Sequence, residues 1–196
     1  MFKRVLLTLA LAAASANAFA AGVTYRLDPA HTNVLASWSH FGFSHPSAQF
    51  GAADGTLVYD ADDVSKSRVE VTLPLSGLDS FVPKLDEHLR SADFFDAANF
   101  PAITFRSTRV EDLGEGRLRI TGDLTVKGTT RPVVLLAQLN RIGEHPMGKA
   151  PAIGFDATAT LKRSEFGVGA YVPNVGDEIT LRITTEAHAP ADGAAQ

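Results

Sequence analysis

Residues 86–108, with the sequence DEHLRSADFFDAANFPAITFRST, decide how the rest of the chain is interpreted. Beyond the N-terminal segment, the only helical periodicity of any length covers residues 75–92. Within it, Leu85, Leu89 and Ala92 lie at positions i, i+4 and i+7, so they form one apolar stripe on a short amphipathic helix. Such a stripe has to be covered, and the segment therefore predicts a helix that packs against an apolar surface of the protein.

Paired phenylalanines and a strand follow this helix. Phe94 and Phe95 come after its last turn, and Pro101 restricts Phe100 to an extended backbone because the proline ring clashes with a helical residue before it. The helix therefore ends before the segment ITFRST, which begins a strand. The strands on either side decide what the helix covers.

Alternation of apolar and polar residues dominates both sides of the helix and predicts β-strands. In one run, Val34, Ala36, Trp38 and His40 share a single face. The other runs with this period are residues 23–27, 69–73, 103–110, 117–126, 131–140, 153–161 and 178–186.

The connections between these runs predict the fold class. Residues 111–116 and 127–130 are short and contain glycine, which predicts antiparallel neighbours. In residues 47–59, Gly51 and Gly55 interrupt the alternation and predict a bulge or a sharp bend. About eight strands with one short helical insertion favour an all-β antiparallel barrel over a sandwich, because closure removes exposed edges. The lumen of such a barrel is filled by side chains or holds one small ligand, and periodicity leaves both open.

One strand and two loops add detail to this barrel. Residues 133–136 are apolar on both faces of their strand, which predicts that the helix or a partner subunit covers the outer face. The loops at residues 143–151 and 167–176 are the longest polar connections, so they are expected to form the rims of an opening.

The two ends of the chain are predicted to lie outside the folded domain. Residues 1–20 have a basic start, an apolar run of about ten residues and small residues near the end, a pattern typical of a cleaved signal peptide. Cleavage is expected near residues 18–21. The folded domain is then residues 21–188, and the alanine-rich residues 189–196 predict a disordered tail.

The net charge argues against two kinds of partner, and the absence of cysteine excludes thiol chemistry. Removal of Lys3 and Arg4 leaves sixteen basic residues against 22 acidic ones, a net charge of −6. Nucleic acid and anionic membrane surfaces require clustered cations, so neither is predicted as a partner, and no stable membrane insertion is expected. The chain has no cysteine, which excludes disulfides, a thiolate nucleophile and a thiolate metal site.

No catalytic or metal site is predicted from the residue pattern. The six histidines do not form a helical i, i+4 pair, and there is no G-x-S-x-G elbow or phosphate-binding loop. His40 shares the apolar face of Trp38 and is interpreted as a core histidine. His88, on the predicted helix, is interpreted as a link between the helix and the barrel.

Four ordered segments resemble the YceI-like family of exported bacterial proteins that bind polyisoprenoids. They are YRLDPAHTNVLASWSHFGFS at residues 25–44, EHLRSADFFDAANFPAITFRST at 87–108, GDLTVKGTTRPVVL at 122–135 and LKRSEFGVG at 161–169. The resemblance implies a lipocalin-like antiparallel barrel of about eight strands with a helix packed at its side. It also implies a periplasmic protein with a long apolar lipid in the lumen, such as a polyisoprenoid or a quinone precursor, and a possible homodimer. No other cofactor is implied.

The resemblance and the inward-facing positions together suggest the binding residues. The predicted ligand-binding residues are Trp38, His40, Phe50, Phe94, Phe95, Phe105, Phe155 and Phe166. The candidate contacts to a polar head group are His31, Arg90 and Arg163. At residues 80–83 the sequence SFVP replaces a polar turn that is common in the family, which implies a reshaped mouth of the pocket.

Two other functions remain open at this level. One is an enzyme that acts on an isoprenoid substrate with His40 or His88 as the general acid or base, and a carboxylate beside a buried histidine would favour it. The other is a structural or stress-response protein whose barrel is packed solid.

Overall fold

The computed structural model describes residues 22–190, which form a chain of mostly β-strands with one α-helix. The predicted signal peptide at residues 1–20 lies outside the described residues, as do residues 191–196 of the predicted tail. The strands are β1 Val23–Leu27, β2 Asn33–Ser37, β3 Ser47–Phe50, β4 Asp54–Tyr59, β5 Arg68–Pro74, β6 Leu78–Asp79, β7 Ala102–Asp112, β8 Arg117–Val126, β9 Thr129–Glu144, β10 Pro151–Lys162 and β11 Glu178–His188. The helix is α1, Pro83–Arg90.

The strands close into an antiparallel barrel. Eight of them follow one another around the ring in the order β1, β4, β5, β7, β8, β9, β10 and β11. Pairing of β1 with β11, through Arg26 with His188 and Leu27 with Ala187, closes the ring. The predicted all-β, lipocalin-like barrel of about eight strands with one helical insertion is therefore confirmed.

The three remaining strands, β2, β3 and β6, continue the lines of β1, β4 and β5 beyond a bend or break. β2 lies beyond β1 and pairs with the same strand, because β11 pairs with β1 near its end and with β2 over Thr180–Thr184. β3 and β4 are likewise separated by a short break that begins at Gly51, as the sequence predicts, and Ala52 there has φ of +54°. The amide of Gly51 donates to the carbonyl of Gly77 at 2.9 Å, which joins this bend to the one between β5 and β6.

The helix is shorter than the predicted range of residues 75–92. Leu75–Gly77 forms one turn of 3-10 helix, and Leu78 and Asp79 pair with β3 instead of continuing a helix. Pro83 starts α1 at the first turn, where its missing N–H leaves no helical bond unmade. Ala92 lies beyond the end of the helix and is exposed, so the apolar stripe is carried by Leu85 and Leu89.

Asp86 and Arg90 fasten α1 to the segment before it. The Asp86 carboxylate accepts hydrogen bonds from the Ser80 amide at 2.7 Å and the Ser80 hydroxyl at 2.6 Å. Arg90 donates from Nε to the carbonyl of Leu75 at 2.9 Å and from its Nη2 to the carbonyl of Leu78. These bonds fix the position of the helix against the barrel.

We expect Asp86→Asn to lower the free energy of unfolding by about 1 kcal/mol at neutral pH, because the two hydrogen bonds lose their ionised acceptor. The Ser80 side-chain bond holds the pKa of Asp86 below its ordinary value of 3.8. The contribution is therefore complete above pH 3.8 and is lost as the pH falls through the folded-state pKa. Urea unfolding at several pH values measures this, with Glu87→Gln on the exposed face of α1 as the control. A difference that persisted unchanged at the lowest pH would contradict this assignment.

The buried residues form two clusters in opposite halves of the barrel. The cluster away from α1 fills its half with packed side chains, including Tyr25, Ile153 and Phe155. The cluster beneath α1 includes Leu75, Leu78 and Phe166, and it surrounds the cavity described below. One half of the barrel therefore has a core of packed side chains, and the cavity lies in the other half.

Two outer features bear on the remaining predictions. Val134 and Leu136 on β9 are 45% and 51% exposed, so α1 does not cover them, and the predicted homodimer stays a prediction.

Ala189, in the predicted tail, is buried and donates from its amide to the carbonyl of Pro151 at 2.8 Å. The helical segments within residues 22–190 lack the length and apolar character of a membrane-spanning helix.

Candidate functional site

A cavity of about 620 Å³ occupies the half of the barrel beneath α1. Its walls are almost entirely apolar. The lining residues are Val34, Ala36, Trp38, His40, Phe41, Ser44, Pro46, Ala48, Phe50, Leu73, Leu85, His88, Leu89, Phe94, Phe95, Ile103, Leu124, Val126, Leu161, Arg163, Phe166, Val168, Tyr171, Val175, Ile179 and Leu181. The volume lies within the roughly 300–1,000 Å³ that is usual for small-molecule sites.

The period-two alternation of the strands produces the apolar wall. Val34, Ala36 and Trp38 are successive inward positions of β2 and the residue that follows it. Across the β2–β3 pairing Ala36 is opposite Ala48, and both side chains face the cavity. Because both side chains are small, the cavity is wider at this part of the wall than it would be with larger residues at these two positions.

The helix and the segment after it cover one side of the cavity. Leu85, His88 and Leu89 of α1 line it, as do Phe94 and Phe95 just beyond the helix. This arrangement answers what the amphipathic helix covers, because its apolar stripe faces the cavity. Ring contacts join the residues of this cover to the barrel and to one another, namely Phe95 with Phe50 at 5.9 Å and Phe94 with His88 at 4.9 Å.

Arg163 holds the loop that forms another part of the rim. Its side chain is 8% exposed and donates to the carbonyls of Gly176 at 2.8 Å, Val168 at 2.5 Å, Ala170 at 2.9 Å and Val175 at 2.8 Å. Burial lowers the pKa of Arg163 from its ordinary value, but a guanidinium stays charged across the physiological range. The guanidinium therefore fixes the backbone of this loop, and its donors are directed to carbonyl groups of the protein.

Few polar groups reach the cavity. His40 packs against the ring of Phe41 at 4.7 Å, and His88 contacts the rings of Phe94 and Tyr171. Among the described residues that line the cavity there is no carboxylate. The feature that would favour the enzymatic hypothesis, a carboxylate beside His40 or His88, is therefore not found in this lining.

The structure brings most of the predicted binding residues together. Those that line the cavity are Trp38, His40, Phe50, Phe94, Phe95, Phe166 and Arg163. Phe155 does not, because it packs in the filled half of the barrel, with its ring 6.1 Å from that of Tyr59. Phe105 does not line the cavity either. Its ring packs against Gly122, where a Cβ would come within 2.4 Å of Phe105 Cζ.

Two of the three candidate head-group contacts are also elsewhere. Arg90 donates to two carbonyls of the segment before α1, as described above. His31 lies in the bend between β1 and β2, where its Nδ1 is 2.6 Å from the Asp28 carboxylate. That hydrogen bond raises the pKa of His31 and lowers the pKa of Asp28, so the pair is ionised over a wider pH range than either group alone.

His31 faces a second, larger groove of about 810 Å³ at this bend. Polar and charged residues, among them Asn33, Gln49, Arg141 and Glu186, make up a larger share of its lining than of the lining of the cavity beneath α1. An apolar ligand gains free energy from leaving water in proportion to the apolar surface that it buries, so the groove is the poorer site for it. The smaller cavity beneath α1 is therefore the candidate site.

Several lining residues were not predicted from the sequence. Val34 and Ala36 share the face of Trp38, so the alternation of that strand was sufficient to find them. Val168, Tyr171 and Val175 lie in an irregular loop that has no period, and only the pairing of strands reveals that they reach the rim. In residues 22–190, no three histidine or acidic side chains are placed to hold a metal ion.

Comparison with known protein sequences gives a consistent result. A sequence profile described as the YceI-like domain matches residues 25–187. A UPF0312 protein of Vibrio cholerae is 37% identical over 169 residues, which are 85% of this chain and 89% of that protein.

Comparison with solved structures finds the same barrel. Burkholderia cenocepacia BcnA superposes with a TM-score of 0.74 at 22% identity, covering 82% of this chain and 98% of BcnA. A polyisoprenoid-binding domain from Saccharophagus degradans superposes with a TM-score of 0.65 at 12% identity, covering 86% of this chain and 99% of that domain. At these identities the likeness establishes the shared fold.

Proposed function

We propose, since this chain belongs to the YceI-like family, that it binds one long apolar lipid in the barrel and releases it without chemical change. The observation that carries this proposal is the apolar cavity of about 620 Å³ beneath α1. The ligand class that fits best is a polyisoprenoid or an isoprenoid quinone precursor. Such chains are flexible and branched, and they offer apolar contacts along their whole length.

Burial of apolar groups alone gives a useful affinity in such a cavity. Each buried methylene contributes roughly 0.8 kcal/mol, so about ten buried carbons give the ~8 kcal/mol of micromolar binding before ordering costs. No charged partner is required for that affinity. This agrees with a lining in which Arg163 is the one fixed charge among the described residues and is already bound to carbonyl groups.

The name of one structural neighbour supports the choice of ligand class. The Saccharophagus degradans domain of the same fold is described as polyisoprenoid-binding. A barrel that is hollow in one half and packed in the other accommodates a chain entering from a single end, which suits carriage or storage of a lipid. A barrel packed solid, the structural alternative, does not agree with the cavity.

The periplasm is the proposed location. The support is the signal-peptide pattern of residues 1–20 together with the absence of cysteine from the whole chain, which leaves the fold independent of the redox state of its compartment. In that compartment the protein would carry its lipid through water between membranes or hold it in reserve.

Trp38 provides the experiment, because it lines the cavity and is the single tryptophan of the chain. Titration with solanesol, a long polyprenol, is expected to shift its emission to shorter wavelength as water leaves the cavity. An isoprenoid quinone is expected to quench the emission, since the quinone ring accepts excitation energy at short range. Phytol and palmitic acid serve as comparison ligands for chain chemistry. An emission spectrum that none of these lipids alters would contradict the proposed function.

A further inference from the structure

Six exposed apolar side chains stand on three loops at the end of the barrel where the cavity lies. We call them the apolar tips, and they are Phe41, Phe43, Phe81, Val82, Tyr171 and Val172. Their exposed fractions range from 38% for Val172 to 93% for Phe43. All four of the exposed Phe and Tyr side chains in residues 22–190 belong to this group.

The strand register places the three loops at one end. Ser37 at the end of β2 pairs with Thr180 near the start of β11, so the loops that follow β2 and precede β11 are neighbours. Direct hydrogen bonds join them, since the Phe41 amide donates to the Asn174 carbonyl at 2.9 Å. Asp79 of β6 pairs with Gln49 of β3, which brings the segment before α1 to the same end.

The tips adjoin the mouth of the cavity. Phe41 and Tyr171 line the cavity while more than half of each side chain remains exposed. The ring of Tyr171 is 6.0 Å from that of His88 and 6.1 Å from that of Phe94, so it rests on the helical cover. A ligand that passes this rim therefore passes between the tips.

Three of the tips hold an unfavourable backbone conformation. Phe41, Phe81 and Tyr171 have φ of +51°, +64° and +64°, a region that bulky residues rarely adopt. Such strain persists where the surrounding structure imposes it, and it is concentrated at functional sites. At these three positions the strained backbone leaves an aromatic ring exposed to solvent, so burial of the ring in the core does not offset the strain.

The charge of the tip loops differs from that of the whole chain. Residues 39–46 and 167–176 contain no aspartate, glutamate, lysine or arginine, and residues 80–84 contain only Lys84. The excess of acidic residues lies in other parts of the chain. The loops that would touch a bilayer therefore bring no acidic side chain of their own against its head groups, although the net charge of the protein is negative.

We propose that the apolar tips dock on the surface of a lipid bilayer and insert their rings shallowly at its interface, so that the cavity mouth faces the lipid phase. The inference rests on the proposed function, because an apolar chain too insoluble to cross water needs such a contact to enter the barrel. Aromatic side chains favour the membrane interface, and separate tips on three loops penetrate head groups without a flat complementary partner. The docking is reversible and involves no spanning segment.

Flotation with vesicles of phosphatidylethanolamine and phosphatidylglycerol tests this. We expect the protein to float with the vesicles and the double variant Phe43→Ser, Phe81→Asn to bind them at least about tenfold more weakly, because each ring removed loses its apolar burial. Neither residue lines the cavity, and asparagine tolerates the positive φ of position 81. The matched control, Leu113→Ser with Met147→Ser, removes two exposed apolar side chains from other loops and is expected to bind vesicles normally.

The outcomes are distinguishable from those that test ligand binding. Docking is supported if the tip variant loses vesicle binding and keeps the Trp38 response to solanesol. It is overturned if the unaltered protein does not float, which would leave the tips to a protein partner, or if both double variants bind equally well. An unaltered protein that floats with the vesicles but shows no Trp38 response to solanesol would instead support docking and count against the proposed function.

Discussion

Replacing Ala48 by phenylalanine is expected to weaken the binding of a polyprenol by about two hundredfold. Ala48 faces the cavity beside its strand partner Ala36 and is 2% exposed, so a phenyl ring at this position enters the space of the ligand. If the ring displaces about four methylenes, the loss is ~3.2 kcal/mol at roughly 0.8 kcal/mol for each. Titration of the Trp38 emission with solanesol measures the change.

Two further variants make this result specific. Ala36→Phe enters the cavity from the neighbouring strand β2 and is expected to have an effect of the same order. Ala98→Phe adds the same ring at an exposed position outside the cavity and is expected to leave the affinity unchanged. Thermal unfolding shows whether each variant remains folded. Equal affinity in the three variants would mean that the lipid does not bind in this cavity.

Replacing Arg163 by methionine is expected to lower the free energy of unfolding by about 3–5 kcal/mol. Methionine leaves four carbonyl groups of the rim loop without their donors, and each buried acceptor without a partner costs about 1–3 kcal/mol unless water reaches it. Arg163→Lys is expected to recover only part of the loss, because an ammonium group does not reproduce the planar fork of the guanidinium. Chemical denaturation measures both variants.

A surface arginine supplies the comparison for this effect. Arg109 has an exposed side chain and lies 2.9 Å from the Glu111 carboxylate, so Arg109→Met is expected to cost no more than about 1 kcal/mol. Hydrogen exchange should also be faster at Val168 and Val175 in the Arg163→Met variant, since their carbonyls are held by the guanidinium. A loss no greater than that of Arg109→Met would show that the Arg163 network does not stabilise the rim.

The fold was predictable where the sequence repeats a simple period. Alternation located the strands, and Gly51 correctly marked the break between β3 and β4. The extent of the helix was not predictable in the same way. Leu78 and Asp79 continue the helical pattern, yet their backbone groups pair with β3, so tertiary hydrogen bonding decides where α1 begins.

The apolar character of the site could be predicted from the sequence, but the residues that line it could be predicted only in part. Trp38 and Phe50 do lie at the cavity, because inward-facing aromatic residues of a barrel either line the lumen or fill it. Phe155 is inward-facing as well, but it belongs to the filled half. Periodicity shows which face a residue occupies and carries no information about which half of the barrel is packed.

Polar residues near the ends of strands were harder to interpret. Arg90 and Arg163 have the charge to bind a head group, but their donors are used on backbone carbonyls of the bends and loops. Such bonds join residues whose contact depends on the closed barrel. A single sequence does not distinguish an arginine that binds a ligand from one that holds a loop in place.

Mass spectrometry of lipid extracted from the detergent-free protein tests the central claim most directly. The full-length chain is expressed in a bacterium and purified from the periplasmic fraction, beside the Ala48→Phe variant. We expect an apolar isoprenoid lipid at close to one molecule per chain in the unaltered protein and a strong loss of that lipid in the variant. A protein without bound lipid, or one that retains the same lipid after Ala48→Phe, would contradict it.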